Sequence, residues 1–207
     1  MLLALPQKYS IKRVLLTVIA LRGEIIPSEI VANGLKEFLE TSKNGRRILD
    51  QEQDELFNWI ELFVFSDNPT AVVDALEWIP DRHLYSELLP RLLLAVRNCP
   101  DEEQALNILI ELSQRNQQLK EGNIWWDALM GLGNEASANV LLDLVCEIKI
   151  LRKWDVSWRL REYLSILAQK FPFLRKHIIE LYEKPLPEDL KNFLKVFLLN
   201  WPIPKIF

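Results

Sequence analysis

Histidine and cysteine are nearly missing from this chain, which has two of each in 207 residues. Cys99 and Cys146 are too few and too far apart for a disulfide framework and lack the close spacing of a zinc site. Both read as small buried hydrophobes in a reducing compartment. His83 and His177 belong to no H-E-x-x-H pair and have no cysteine beside them, so no metal site and no cofactor is expected. Glycine is scarce at six residues. Gly131-Leu132-Gly133 is the one G-x-G, without the third glycine and the preceding strand of a phosphate loop, and reads as a break between two helices. Long apolar runs are missing too. Val14 to Leu21 lies between Arg13 and Arg22 and falls far short of the ~20 residues that span a bilayer. Lys8, Lys12 and Arg13 imitate the start of a signal peptide, but no small-residue cleavage site follows. The expectation is a cytoplasmic protein with no membrane partner.

What the chain does have is enough apolar material for a core: 49% hydrophobic residues, against 26% charged residues of mixed sign and a formal net charge of −4. The apolar residues recur at spacings of three and four, as in Ile11, Leu15, Val18 and Ile19, or Ile30, Leu35, Phe38 and Leu39, which is the helical period. The punctuation agrees. Ser10 is placed to cap a first helix that Arg22-Gly23 ends; Pro27 sits early in a second that Asn44-Gly45 closes; a third runs from about Gln51 to Ser66. Asp67-Asn68-Pro69 starts the next, Pro90 starts or kinks another, and Pro100-Asp101 opens one with Ala105, Leu106, Leu109 and Leu112 on its apolar face. Asn123, Asn134 and Asp155 are candidate caps, and Pro172 and Pro187 stand where the last two helices begin. The reading is roughly ten helices in one all-α domain spanning residues 1–207.

Three stretches pair a polar turn with a small-plus-aliphatic helix: Asn68 to Leu76, Pro100 to Leu109 and Gly133 to Leu142. Their turns fall about thirty to thirty-five residues apart, and a unit of that length buries its apolar face only by stacking on its neighbours. In this the chain, over residues 50 to 182, resembles the HEAT-like α-solenoid family, whose degenerate helix pairs carry Pro and Asp near the turns. The resemblance implies stacked antiparallel helix pairs in a short right-handed α-solenoid. A compact multi-helix bundle is the alternative.

The pattern marks no catalytic set, and the chain is not expected to be an enzyme. Asp81-Arg82-His83 sets an acid beside a base, but adjacent helical residues point apart, and a helix-start cluster explains the three. Glu102-Glu103 sits in a first helical turn, where negative charge complements the macrodipole. Two features stand above this background. From Asp50 to Glu147 there are 19 acidic against 5 basic residues, and from Ile148 to the end 12 basic against 6 acidic. Such polarity orients encounters with charged partners. In addition, Arg152, Lys153, Trp154, Trp158, Arg159 and Arg161 interleave cations with two tryptophans four positions apart. Aromatic platforms with guanidinium groups stack bases and hold phosphates; the other reading is a helix connection whose tryptophans plug the interior. Trp125-Trp126 offers one ring to the core and one as an exposed anchor for a protein.

A non-enzymatic scaffold or adaptor that binds another protein is the leading functional expectation. Nucleic-acid binding through the segment near 149–161 is the second; some HEAT-like solenoids of this length are DNA glycosylases, but no residue here matches their catalytic motif. A regulatory or sensor subunit of a larger assembly is the third. The apolar C-terminal run from Phe193 to Phe207 needs covering, either by its own last helices or by insertion into a second copy, as a homo-oligomer, or into a larger partner.

Overall fold

The computed structural model describes residues 11–42, 50–79, 81–146 and 154–199, with the side chains of residues 50, 51 and 154–157 outside the description. Among the described residues the protein is all-α. The helices are α1 (Ile11–Leu21), α2 (Ser28–Ser42), α3 (Asp50–Val64), α4 (Ala71–Glu77), α5 (Arg82–Val96) and α6 (Glu102–Arg115). A 3-10 turn (Gln117–Glu121) precedes α7 (Asn123–Leu132), α8 (Glu135–Val145), α9 (Trp154–Lys170), α10 (Pro172–Tyr182) and α11 (Glu188–Leu199). None of these helices is long and apolar enough to cross a membrane. The chain divides into two compact units, Met1–Asn116 and Gln117–Phe207.

Local chemistry sets most of the boundaries. The Asp101 carboxylate accepts from the backbone N–H of Glu103 at 3.0 Å and of Gln104 at 3.1 Å, capping α6. Asn134 caps α8 by accepting from Ser137 at 2.8 Å, and Asp81 caps α5 by accepting from His83 at 2.8 Å. The acid-base neighbours Asp81 and His83 are therefore a helix start. Gly133 ends α7 at φ +57°, in the left-handed region that glycine enters without strain. Pro172 opens α10 as its first residue. Asn123 is the first helical residue of α7 and not its cap; Gly122 occupies that position in extended conformation. Asp155 lies inside α9, not before it, and Pro90 lies inside α5, which runs through it. The Ser10 and Asn44-Gly45 expectations fall outside the described residues.

In the first unit α3 packs against α1, α2, α4 and α5, while α6 packs on α4 and α5. Residues Leu56, Trp59, Ile60 and Phe63 are at most 1% exposed, each contributing roughly 1.5–3 kcal/mol by leaving water. With Glu55, Phe57, Leu62 and Val64 also buried, α3 leaves Asp54 exposed and, on the same side, Asn58 and Glu61 half-exposed; Glu52 and Gln53 near its start are half-exposed too. Helix α2 approaches closely enough that the Trp59 indole lies against Gly34, and no Cβ fits between them. The loops close the unit: Ile26 N–H donates to Phe65 O at 3.2 Å, Asp67 N–H donates to Ile26 O at 2.9 Å, and the Asp67 carboxylate accepts from the Ser28 N–H at 2.8 Å at the start of α2. Hydrogen bonding from Ser28 holds the Asp67 carboxyl below its ordinary pKa.

Helix α1 inverts the expected amphipathicity. Its inner face is Arg13 and Leu16, whereas Ile11, Val14, Leu15, Val18 and Leu21 are exposed by 68, 44, 58, 43 and 82%. What draws Arg13 inward is Glu55 on α3, 1% exposed, whose Oε2 accepts from Arg13 Nε at 2.9 Å. The other oxygen, Oε1, and Trp59 Nε1 one turn along are buried without a hydrogen-bond partner among the described residues. Such atoms each cost about 1–3 kcal/mol.

In the second unit α9 takes the central place, packing against α7, α8, α10 and α11; α7 also packs on α8, α8 on α10, and α10 on α11. In both units the closest-packed helix pairs are one or two apart in chain order. Cys99 is buried, but Cys146 is exposed, contrary to expectation, because it is the residue that ends α8, with its N–H donating to Asp143 O at 3.0 Å.

Removing one partner of the Arg13–Glu55 pair leaves a buried charge unpaired. Arg13→Met is expected to lower the unfolding free energy by about 3–5 kcal/mol, and adding Glu55→Leu to restore it to near the parent value, measured by denaturant unfolding.

Candidate interaction site

Helix α9 buries Leu160, Leu164, Leu167 and Ala168, a stripe at helical spacing that faces the other helices of its unit. Trp158, Arg161, Glu162 and Ser165 follow the same spacing within roughly 100° of the opposite side, at the helical 3.6 residues per turn. Helix α11 buries Leu190, Phe193, Leu194 and Phe197 and leaves Val196 at the edge, 37% exposed. The four α9 side chains together with Val196 and Phe197 line an open groove of about 450 Å³.

The groove has an ordered chemical layout. Trp158 presents its indole at its mouth, with the residue 51% exposed. The Arg161 guanidinium lies 5.6 Å from the centre of the Phe193 ring, a cation–π contact that orients it from α9 toward α11. Glu162 adds a carboxylate to the lining. The Ser165 hydroxyl donates to Arg161 O at 2.7 Å and is spent on its own helix. Guanidinium and carboxylate thus share a groove with Trp158, Ser165, Val196 and Phe197.

Two ties fix α9 on α7. The Tyr163 hydroxyl donates to the Asp127 carboxylate, and Lys170 Nζ donates to Gly133 O where α7 ends. Burial, then the hydrogen bond to anionic Asp127, pushes the Tyr163 pKa up to about 12.

No family model, curated protein or solved structure matches the chain. The reading of the site therefore rests on its geometry. Of the residues expected to bind, Trp158 and Arg161 meet in the groove, while Arg159 lies half-buried outside it. Arg152 and Lys153 lie outside the described residues, as does the side chain of Trp154. The expectation of an exposed ring at Trp125-Trp126 is corrected: both are buried, at 1% and 0%. The two rings point about 100° apart on α7, but α8, α9 and the preceding 3-10 turn all pack on that helix, and Trp126 Nε1 donates to Lys120 O at 2.8 Å in that turn. Both indoles are core.

Glu162 and Ser165 were not singled out by sequence, and Val196 and Phe197 only as members of the apolar C-terminal run. Glu162 and Ser165 follow Trp158 by four and seven residues, so the helical period held a signal for them; that the α11 residues meet Trp158 and Arg161 follows only from the packing of the helices. Among the described residues no group of three or more His, Cys, Asp or Glu side chains is arranged to hold a metal ion.

The Tyr163–Asp127 tie gives a pH signature. A folded pKa near 12 against 10.0 for a free tyrosine means that the tie's contribution is whole below pH 10 and is lost as pH rises toward 12. Ultraviolet titration of the folded protein is expected to show one tyrosine ionising near pH 12. That phase is expected to be absent from Tyr163→Phe, which would also lose less stability than the parent between pH 10 and 12.

Proposed function

We propose that the protein is a non-enzymatic interaction scaffold of the cytoplasm, each unit a short solenoid-like stack of helix pairs, and that the α9–α11 groove binds a partner protein. The observation that carries this reading is the composition of the groove: a half-exposed tryptophan beside an arginine held over a ring, on an apolar floor. Tryptophan and arginine dominate the energetics of protein interfaces, where a rigid aromatic fills a pocket and the guanidinium binds at its edge. The near-neighbour packing of the helices supports the solenoid-like stacking, because a solenoid helix meets only its chain neighbours.

Glu162 favours a protein over a nucleic acid. Phosphate binding draws its affinity from cations that replace condensed counterions, and a carboxylate beside Arg161 cancels that gain inside the groove.

Affinity capture with immobilised full-length protein tests the proposal. The parent is expected to retain a specific protein partner. Trp158→Ala, which changes an exposed position, is expected to keep its helicity and weaken the captured complex by about 2 kcal/mol, roughly thirtyfold. A partner retained equally by the variant, or salt-sensitive oligonucleotide binding that depends on Arg161, would contradict this reading.

A further inference from the structure

A second groove lies in the first unit, on the half-exposed side of α3 that carries Asn58 and Glu61. It encloses about 400 Å³, within the range of about 300–1,000 Å³ common to binding pockets. Leu62 and Phe65 of the α3 end form one wall, and Ala20 and Leu21 of α1 the other. Asn58, Glu61 and Asn98 bring two amides and a carboxylate to it, and none of these three side chains has a hydrogen-bond or ion-pair partner among the described residues. No lysine or arginine is among the described residues that line it.

The groove does not end at α1. Leu21 belongs both to its wall and to the exposed stripe of Val14, Val18, Ile11 and Leu15, so apolar surface continues from the groove along the length of α1. A pocket alone would suit a small amine. A pocket with a three-turn apolar stripe leading into it suits an extended amphipathic occupant.

We propose that this face binds a basic amphipathic helical segment of a partner protein. Its apolar side chains lie along the α1 stripe, and one lysine or arginine enters the groove with its stem on Leu62 and Phe65 and its cationic head at Glu61. The Asn58 and Asn98 carbonyl oxygens supply further acceptors for the head's N–H groups. The unit as a whole adds a long-range attraction: Met1–Asn116 holds 18 acidic against 12 basic residues, an excess that attracts a cationic segment before contact, whereas the charges of α1 itself, Lys12 and Arg13, are basic and leave Glu61 as the anion at the face. The inference shares with the scaffold reading only the class of partner. It concerns a different unit and different residues.

The probe is a fluorescent peptide of leucine and lysine at helical spacing, titrated by anisotropy into the full-length protein, with a leucine–glutamate peptide of the same pattern as control. The lysine peptide is expected to bind and the glutamate peptide not to. Glu61→Gln and Leu21→Asp, both with parental helicity, are each expected to weaken binding about tenfold or more. Glu103→Gln, which removes an equal charge at an exposed site on α6, and Trp158→Ala are expected to leave it unchanged, so this groove and the α9–α11 groove stand or fall separately. Failure of the lysine peptide to bind, or equal losses in Glu61→Gln and Glu103→Gln, would overturn the proposal. So would competition by hexylamine at the peptide's own potency, which would assign the groove to small amines. A mass that rises with protein concentration and falls to monomer in Glu61→Gln would place a second copy there and overturn it as well.

Discussion

The structure depends on the burial of two central helices, α3 and α9, each enclosed by four others of its own unit. The short helices around them have one strongly apolar face at most and cannot stay folded alone. They are held because α3 offers apolar surface on most of its circumference and α9 a continuous stripe of Leu160, Leu164, Leu167 and Ala168, and the closeness of α2 to α3 follows from a glycine facing a tryptophan, Gly34 against Trp59. The Arg13–Glu55 pair is the exception in kind. It adds a charged contact where an apolar one would serve, and fixes which face of α1 turns inward.

That choice has consequences for function. With Arg13 inward, most of the apolar residues of α1 point to solvent, beside the half-exposed side of α3 that carries Asn58 and Glu61. In the second unit the same geometry recurs with different chemistry: α9 buries its leucine stripe and presents Trp158, Arg161 and Glu162 on the other side, where α11 completes a groove. Binding faces on this protein are what remains of the central helices and their neighbours once the core has been satisfied. One face is mixed in charge and aromatic. The other sets one carboxylate and two amides among apolar side chains.

Much of the fold was legible because helix ends are decided locally. Asp101, Asn134, Gly133 and Pro172 each do what their residue type does at a helix boundary, and no distant contact is needed to predict it. Less was legible where a distant residue decides. The apolar period of α1 marked a helix correctly but pointed to the wrong face, because Glu55, 42 positions away, outweighs the stripe. Trp125 and Trp126 look like one core and one surface residue until two further helices close on α7. The α9–α11 groove was half visible: Trp158 and Arg161 stand out as residues, whereas their apolar floor comes from a helix some 35 positions on, as from Arg161 to Val196. The acidic groove left no linear mark, since Asn58 and Glu61 are ordinary helical polar residues until the rest of α3 is seen to be buried.

The most direct test of this account is hydrogen exchange across the full-length protein in rising, sub-denaturing urea. Near-neighbour packing predicts that backbone amides open in contiguous blocks, with α3 and α9 the last to exchange in their units and α1 and α11 among the first. Uniform protection lost in one global step, or α1 outlasting α3, would contradict the claim that the central helices hold the structure together and leave the outer ones free to bind.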